Sequence, residues 1–313
     1  MYVSTHFVPA AVLALAAALI TPAQAQKGPP LAPGAAPLTT GAIPAAAQAT
    51  AQPGCGNPAA LGVARVVEID TTGGPGFGFE HFKQHDFLRD GEVVLTLDDG
   101  PWPGNTPAVL RALGAQCVKA TFFAIGKHSM WHPEILRQVV AEGHTVGTHT
   151  WSHANLGKKP APEATDEIEK GFSAVRMALG GTPPAPFFRF PTLTHPPAMV
   201  TYLGERNVGI FSTDMDSFDF KLKKPDLVVK SVIDKLKKHG KGIVLMHDFQ
   251  HVTAEAMPEL LAQLKANGYK VVHLRPKAPV QTLAQYDAMV LKEVSLPTVS
   301  SRPTTSVVRT LSE

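Results

Sequence analysis

Two histidines four residues apart, His149 and His153, are the first residues here whose type and spacing indicate chemistry. If a helix begins at this point, side chains at positions i and i+4 lie on the same face. Two imidazoles and one carboxylate are a common ligand set for a catalytic divalent metal, and they leave positions open for water and substrate. Either Asp98 or Asp99 can supply the carboxylate. The pattern therefore predicts a metal site, and the alternative is an ordinary pair of surface histidines.

The adjacent carboxylates Asp98 and Asp99 indicate a division of roles. Successive side chains that leave a strand point in different directions. We therefore expect one carboxylate to bind the metal and the other to face the substrate as a general base. Arg189 would otherwise be an uncompensated cation, and pairing with Asp98 would keep that base ionised.

His247 ends an apolar run and is a candidate general acid or base, because histidine titrates near neutral pH. It would need a carboxylate to hold its tautomer, and Asp219 is a candidate. The alternative is a core histidine that bonds a backbone carbonyl. We also expect His128, His132 and His251 near the same group, where they could shape a groove.

Short apolar runs alternate with helical patterns from Glu92 onward. Seven runs are strand candidates: Glu92–Asp98, Val118–Ile125, His144–His149, Phe187–Phe190, Val208–Thr213, Gly242–His247 and Lys270–Leu274. Two of the intervening patterns predict helices with clear ends, Asp226–His239 and Met257–Asn267. The alternation predicts one α/β domain with a parallel sheet, closed as a barrel or open and doubly wound. The clustered ionisable residues fall at the carboxyl ends of the strands, where both architectures place their active sites.

Composition separates the start of the chain from the rest. The chain has 313 residues, 44% hydrophobic and 18% charged, which excludes a disordered chain, a coiled coil and a collagen-like fibre. A net charge of +3 gives no indication of a nucleic-acid partner. From Met1 to Ala64 the single charged residue is Lys27. The apolar run Phe7–Ile20, followed by Ala23-Gln24-Ala25, predicts a signal peptide over residues 1–25.

The usual positive start of a signal peptide is missing, so an uncleaved anchor or a misassigned start codon are alternatives. We expect an exported protein, periplasmic or secreted, that is monomeric and has no membrane span after cleavage. The predicted boundaries are a linker over 26–58, an extension packing on the barrel over 59–84, the catalytic domain over 85–275, a helix over 276–294 and a disordered tail over 295–313. Cys55 and Cys117 could pair in an oxidising compartment, or Cys117 could be a buried thiol.

Five ordered segments resemble the motifs of the polysaccharide deacetylases, carbohydrate esterase family 4. They are Thr96–Pro101, His149–His153, Arg189–Pro191, Asp216–Asp219 and Leu245–His247. This family includes nodulation-type chitooligosaccharide deacetylases, peptidoglycan N-acetylglucosamine deacetylases and acetylxylan esterases. The resemblance covers about residues 90–275 and implies a distorted (β/α)7 barrel in a single catalytic domain. It also implies a hydrolase that removes N-acetyl groups from an amino-sugar polymer or oligomer and releases acetate.

The resemblance implies a role for each motif residue. Asp98 would be the general base, and Asp99, His149 and His153 would bind one divalent metal per chain, usually zinc. Arg189 would orient Asp98, Asp219 would tune His247, and His247 would protonate the leaving amine. Five further residues would contact the substrate or its oxyanion: Pro191, Thr192, Phe220, Asp216 and Trp151.

Two departures from the family pattern concern the sugar groove. Thr192 and Leu193 stand where an aromatic residue and glycine usually follow the third motif, and Phe220 replaces the usual tryptophan of the fourth. These changes keep open an O-acetyl esterase or a small-amide hydrolase on the same metal site. A non-catalytic envelope glycan-binding protein is a further alternative, although the catalytic and metal-binding residues are all present. A metal-dependent phosphatase is disfavoured, because Gly100 stands where a second acid would be needed.

Overall fold

A computed structural model describes residues 55–295 of the chain. The predicted signal peptide, most of the predicted linker and all but the first residue of the predicted tail lie outside these residues. None of the helices within 55–295 combines the length and apolar character needed to cross a membrane.

Residues 55–295 form ten strands and eight α-helices. The strands are β1 (Arg65–Ile69), β2 (Gly76–Phe77), β3 (Glu92–Asp98), β4 (Thr121–Ala124), β5 (Thr145–Thr148), β6 (Phe187–Phe188), β7 (Gly209–Phe211), β8 (Met215–Asp216), β9 (Gly242–His247) and β10 (Lys270–Pro276). The helices are α1 (Asn105–Ala115), α2 (Gly126–Trp131), α3 (Pro133–Ala141), α4 (Ala161–Ala178), α5 (Pro197–Glu205), α6 (Pro225–His239), α7 (His251–Ala266) and α8 (Ala284–Ser295).

Strands β3 to β9 form the wall of a distorted (β/α)7 barrel, which confirms the expected fold class. β3 pairs in parallel with β4 and with β9, and the wall continues through β5, β6 and β7 on one side and β8 on the other. In β3, Leu95 and Leu97 pack in the outer core, whereas Val94 belongs to the inner cluster. This alternation follows from the two-residue period of a strand. It turns Thr96 and Asp98 toward the barrel interior.

The predicted helices flank the wall largely as expected. α6 begins with Pro225 as its first residue and ends at Gly240, whose φ of 79° suits glycine. Its apolar stripe is buried in the outer core. α7 begins at His251, earlier than the predicted Met257, and contains Pro258 in its interior. The sequence prediction rested on Leu260, Leu261 and Leu264, which share one face, and this apolar spacing did not reveal the first turns of the helix.

The last predicted strand, β10, does not lie in the wall. It pairs with β1 along five residues and with β3 at Lys270 and Val271 alone. The Leu274 carbonyl accepts a hydrogen bond from Thr145 Oγ1 at the start of β5. β9 occupies the opposite edge of β3, and β4 occupies the edge that β10 uses from Thr96 onward, so β10 pairs with the first two residues of β3 and no further. With β1, it crosses the amino-terminal end of the barrel, and the seventh wall strand is the two-residue β8.

The segment before the barrel adds a short strand, β2, to the free edge of β7. Gly76 and Phe77 pair with Ile210 and Phe211 of β7. Phe79 lies two residues after β2. Its backbone N–H and that of Ile243 both donate to the Asp214 carboxylate, each at 2.6 Å. The aspartate therefore bridges the end of β2 to β9.

The two ends of the described chain are also attached to the barrel. Cys55 and Cys117 form a disulfide with a Cα–Cα distance of 5.8 Å, which settles the alternative of a free thiol. At the other end, α8 buries Tyr286 and Val290 and packs on α4. The helix predicted over 276–294 is thus present from Ala284 onward.

Candidate active site

Asp99, His149 and His153 meet at the carboxyl end of the barrel. Asp99 Oδ1 lies 3.6 Å from His149 Nε2 and 3.4 Å from His153 Nε2. All three potential ligand atoms lie within 4.8 Å of one another. Ligand bonds near 2.1 Å place neighbouring donor atoms about 3–4 Å apart around one ion. The donor set therefore has the types and spacing that a divalent metal requires.

Asp99 Oδ1 supplies independent evidence for a cation at this point. The atom is buried and has no hydrogen-bond partner within the described part of the chain. A buried carboxylate oxygen without a partner is costly. A bound metal ion would satisfy it.

The two histidines approach each other through a tight turn, rather than through the helix considered from their spacing. Thr150 and His153 both have positive φ, at 67° and 59°. The His153 N–H donates to Thr150 Oγ1 at 2.9 Å, which closes the turn. Their rings end with centroids 4.9 Å apart. Asp99 has a φ of 74°, so all three candidate metal-binding residues lie on or beside a strained backbone.

His149 is held in the tautomer that a metal ligand needs. Its Nδ1 lies 2.7 Å from the Arg189 carbonyl, which can only accept, so Nδ1 carries the proton and Nε2 is free to bind a metal. Burial lowers the pKa of His149 to about 3, so the ring is neutral. In the same way, His128 Nδ1 donates to the Asp99 carbonyl at 2.6 Å and supports the strained backbone there.

Asp98 points inward beside this group and is almost fully buried. Its Oδ1 accepts a hydrogen bond from Arg189 Nη1 at 2.8 Å, and its Oδ2 lies 3.8 Å from His149 Nε2. Burial raises the pKa of Asp98, and the Arg189 charge offsets this in part. The Arg189 charge thus favours the ionised carboxylate, but the pKa of Asp98 stays above its ordinary value.

Arg189 is itself completely buried and anchored on several sides. Besides Asp98, it donates to Thr96 Oγ1 at 2.7 Å and to the carbonyls of Phe211 and Ser212 at 3.1 and 2.8 Å. A buried guanidinium with this many partners has little freedom to move. It therefore fixes the direction of the Asp98 carboxylate.

His247 lies across the cleft with Asp219 behind it. Its Nδ1 is 2.7 Å from Asp219 Oδ1, and its backbone N–H donates to Asp219 Oδ2 at 2.7 Å. Thr253 Oγ1 also donates to Oδ2. Burial by itself lowers the pKa of His247, but the hydrogen bond and charge of Asp219, with the charges of Asp98 and Asp99, outweigh it and raise the pKa to about 9. His247 is therefore protonated, as a general acid must be.

Asp248 connects the two sides of the cleft, a role that was not predicted from the sequence. Its carboxylate accepts hydrogen bonds from the Gly100 N–H at 3.1 Å and from Thr106 Oγ1. A side chain at position 100 would collide with it, since a Cβ there would stand 2.1 Å from Asp248 Oδ2. The turn that carries Asp98 and Asp99 is thus fastened to the residue after His247.

These groups line one cavity of about 430 Å³. Its lining consists of Asp98, Asp99, His149, His153, Phe190, Thr192, Leu193, Asp216, Phe220, Leu245, His247 and Gln250. The Phe220 ring meets the His247 ring nearly edge-on, with centroids 5.7 Å apart. The predicted residues Thr192, Asp216 and Phe220 therefore lie at the cleft.

Two predicted substrate contacts do not line the cavity. Pro191 is buried and begins the turn that presents Thr192 and Leu193. Trp151 is 6% exposed and packs with Ala174 and Val290, so we no longer place it at the substrate. Of the lining residues that were not predicted, Leu245 could have been found, because it lies two positions before His247 on the same face of β9. Gln250 follows the strand in a loop and carried no such signal.

Comparison with known proteins agrees with this geometry. The family model described as polysaccharide deacetylase matches residues 87–208. A chitooligosaccharide deacetylase from Bradyrhizobium sp. (strain ANU 289) is 34% identical over 156 residues, which are 50% of this chain and 70% of that protein. The chain belongs to the polysaccharide deacetylase family.

Other members of the family resemble the chain over shorter shares of their length. The peptidoglycan-N-acetylglucosamine deacetylase PgdA of Listeria monocytogenes serotype 1/2a (strain 10403S) is 34% identical over 183 residues, 58% of this chain but 37% of that protein. The Bdellovibrio bacteriovorus peptidoglycan deacetylase Bd3279 superposes with a TM-score of 0.62 at 33% identity, over 69% of this chain and 59% of that chain.

Family membership does not by itself show catalysis. BA3943 of Bacillus anthracis, a CE4 family pseudoenzyme, superposes with a TM-score of 0.54 at 27% identity, over 59% of this chain and 66% of that chain. Activity must therefore be argued from the residues of the cleft.

Proposed function

We propose that this protein is a hydrolase of carbon–nitrogen bonds other than peptide bonds. It would remove N-acetyl groups from an amino-sugar polymer or oligomer, of chitooligosaccharide or peptidoglycan type, and release acetate. The observation that carries the proposal is the arrangement across one cleft: a buried carboxylate base at Asp98, the candidate metal-binding set beside it, and a protonated His247 opposite. Hydrolysis of an amide needs these functions together.

The reaction needs an electrophile as well as a base and an acid. Bound at Asp99, His149 and His153, one divalent cation, which we propose to be zinc, would polarise the acetamide carbonyl and acidify the attacking water. Asp98 accepts a proton from that water as the oxygen attacks the carbonyl carbon. Arg189 keeps the Asp98 carboxylate oriented through its hydrogen bond to Oδ1. Thr192 lines the cleft, and its backbone N–H would donate to the developing oxyanion.

Collapse of the tetrahedral intermediate breaks the carbon–nitrogen bond. The bonding electrons go to nitrogen, and His247 supplies the proton, because an amide anion is too basic to leave. Asp219 stabilises the imidazolium before the transfer and holds its tautomer through Nδ1. The products are acetate and a free amine on the sugar. Asp216 and Phe220 would shape the groove for that sugar, and Pro191 would position the turn that carries Thr192.

We further propose that the protein acts outside the cytoplasmic membrane, in the periplasm or as a secreted protein. The apolar start of the chain ending in Ala23-Gln24-Ala25 supports export. The names of the relatives from Listeria and Bdellovibrio refer to peptidoglycan, which lies outside that membrane. A disulfide between Cys55 and Cys117 also suits an oxidising compartment.

A second candidate is an O-acetyl esterase on the same site. The observation that favours it is the turn at Thr192 and Leu193, where the family usually has an aromatic residue and glycine. The leaving group of an ester is an alkoxide. It needs less help from a general acid than the amine that leaves from an amide. An esterase would therefore depend less on His247 than an amidase would.

Acetate release tests both candidates. Metal-loaded protein is incubated with N-acetylglucosamine oligomers, peptidoglycan and acetylxylan, and Asp98→Asn serves as the matched control. We expect acetate from a glucosamine-based substrate and a loss of about 10²–10⁴-fold in kcat for Asp98→Asn. Release from acetylxylan alone would favour the esterase. If no substrate yields acetate, the protein is not a deacetylase of these glycans.

A further inference from the structure

Four aromatic side chains form a row beside the metal-binding group. This aromatic row consists of Trp102, Phe249, His128 and Trp131. Trp102 and Phe249 have ring centroids 4.8 Å apart, and Phe249 and His128 are nearly parallel, at 16° and 5.9 Å. His128 and Trp131 follow at 5.3 Å and 33°. Trp131 is the outer end of the row.

The inner part of the row lies directly behind residues that line the cleft. His128 Nδ1 donates to the carbonyl of Asp99, the candidate metal-binding residue. Trp102 follows the Asp98–Pro101 turn, and its N–H donates to Thr106 Oγ1 at 2.8 Å. Phe249 is two residues after His247 and precedes Gln250, which lines the cavity. The row is therefore attached to the segments that carry Asp99 and Gln250 into the cleft.

Trp131 is left open to solvent although it is held firmly on one side. It is 59% exposed, whereas Trp151 is 6% exposed. Single exposed apolar residues are common and need no explanation. This one differs because the ring packs at a tilt against His128, whose Nδ1 bonds the Asp99 carbonyl, so that Trp131 is one side chain away from the metal-binding group.

We propose that the open surface of Trp131 binds a pyranose ring of the glycan, one that is linked to the sugar deacetylated in the cleft. The proposal rests on the proposed function and deepens it, since it makes an oligomer or polymer the substrate. A pyranose presents C–H groups on its face, which pack against a flat aromatic ring, while its hydroxyls remain in water. Prior stacking of the row lowers the ordering cost of the platform.

The experiment compares kcat/KM on N-acetylglucosamine hexamers and dimers, using metal-loaded protein. Trp131→Ala is expected to lower the hexamer-to-dimer ratio of kcat/KM about tenfold, through KM, and Trp131→Phe is expected to restore most of it. Leu291→Ala is the matched control, because Leu291 is 60% exposed on α8, which packs on α4. Its ratio should equal that of the wild type. An unchanged ratio in Trp131→Ala would overturn the proposal.

A binding measurement keeps this proposal separate from the proposed function. Hexamer is titrated by calorimetry into Asp98→Asn with and without Trp131→Ala. Weaker hexamer binding when Trp131 is absent supports the platform even if the wild type releases no acetate. Equal binding by the two proteins refutes it even if the wild type is an active deacetylase.

Discussion

Strand β5 has a buried histidine at each end, and the two differ in what they can do. His144 precedes the strand at the amino-terminal end of the barrel, and His149 follows it at the carboxyl end. They are 6% and 2% exposed, and burial lowers the pKa of each to about 3. Burial and pKa therefore do not distinguish a structural histidine from a metal ligand in this protein.

Their hydrogen bonds and neighbours do distinguish them. His144 Nδ1 accepts the Ala120 N–H at 3.1 Å, so its Nε2 carries the proton and cannot bind a metal. The charges that act on it are those of Lys119 and His273. His149 has the opposite tautomer and faces Asp98 and Asp99. His149 is therefore suited to bind a metal, and His144 is not, because of the tautomer of each ring and the charge of the groups around it.

The strongest test of this contrast is His149→Ala. Loss of one of three candidate ligands should reduce bound zinc far below one per chain and lower kcat by about 10³-fold or more, in line with the loss of electrophilic assistance. Elemental analysis of the purified protein measures the metal, and acetate release measures kcat. A variant that keeps both its zinc and its activity would contradict the assignment.

A smaller effect is expected from Asp219→Asn, which acts on the acid side of the cleft. His247 must be protonated to act, so activity is lost as the pH rises through its pKa. Asp219 raises that pKa, and its replacement should move the alkaline limb of the kcat profile to lower pH and lower kcat roughly 10²-fold. Profiles of both proteins between pH 5 and pH 10 provide the measurement. Coincident alkaline limbs would show that Asp219 does not tune His247.

The same pair contributes to stability with a definite sign. The pKa of His247 is about 9 in the folded protein, above its value in an unfolded chain. This contribution is complete below about pH 6.5 and is lost as the pH rises to about 9. Urea unfolding of the wild type should therefore show a steeper loss of stability over that range than unfolding of Asp219→Asn.

His144→Ala should give the smallest effect on catalysis. The Ala120 N–H loses its acceptor in a buried position, which costs about 1–3 kcal/mol in the free energy of unfolding. Bound zinc and kcat should match those of the wild type. Urea unfolding and elemental analysis on the same preparation decide the matter. A loss of zinc here would mean that both ends of β5 support the metal site.

The sequence was most informative at the ends of the long wall strands. Asp98 and His247 each end a strand of six or seven residues, where the apolar pattern is long enough to show which side chains face inward. Because parallel strands end at one edge, these residues had to meet. That these side chains meet in one cleft was therefore predictable before any distance was known.

Features set by pairing between distant segments were not predictable. β8 and β2 have two residues each, too few to show a period. β10 has the pattern of a wall strand, but β4 occupies the edge of β3 that β10 would need, and β9 occupies the other edge. Trp151 shares a motif with two candidate ligands, yet the tight turn at Thr150 directs it to the outside of the barrel. The role of Asp248 was not predictable, because its partners Gly100 and Thr106 lie 148 and 142 residues away in the sequence.

The place of β2 determines how much chain this barrel needs in order to fold. The sequence shared with the family begins at residue 87, after β2 and the Phe79 N–H that binds Asp214. A fragment that began at residue 87 would leave one edge of β7 unpaired, and the Asp214 carboxylate would lose the Phe79 N–H as a donor. The chain needed to complete this barrel therefore starts upstream of residue 87, where the match to the family model begins.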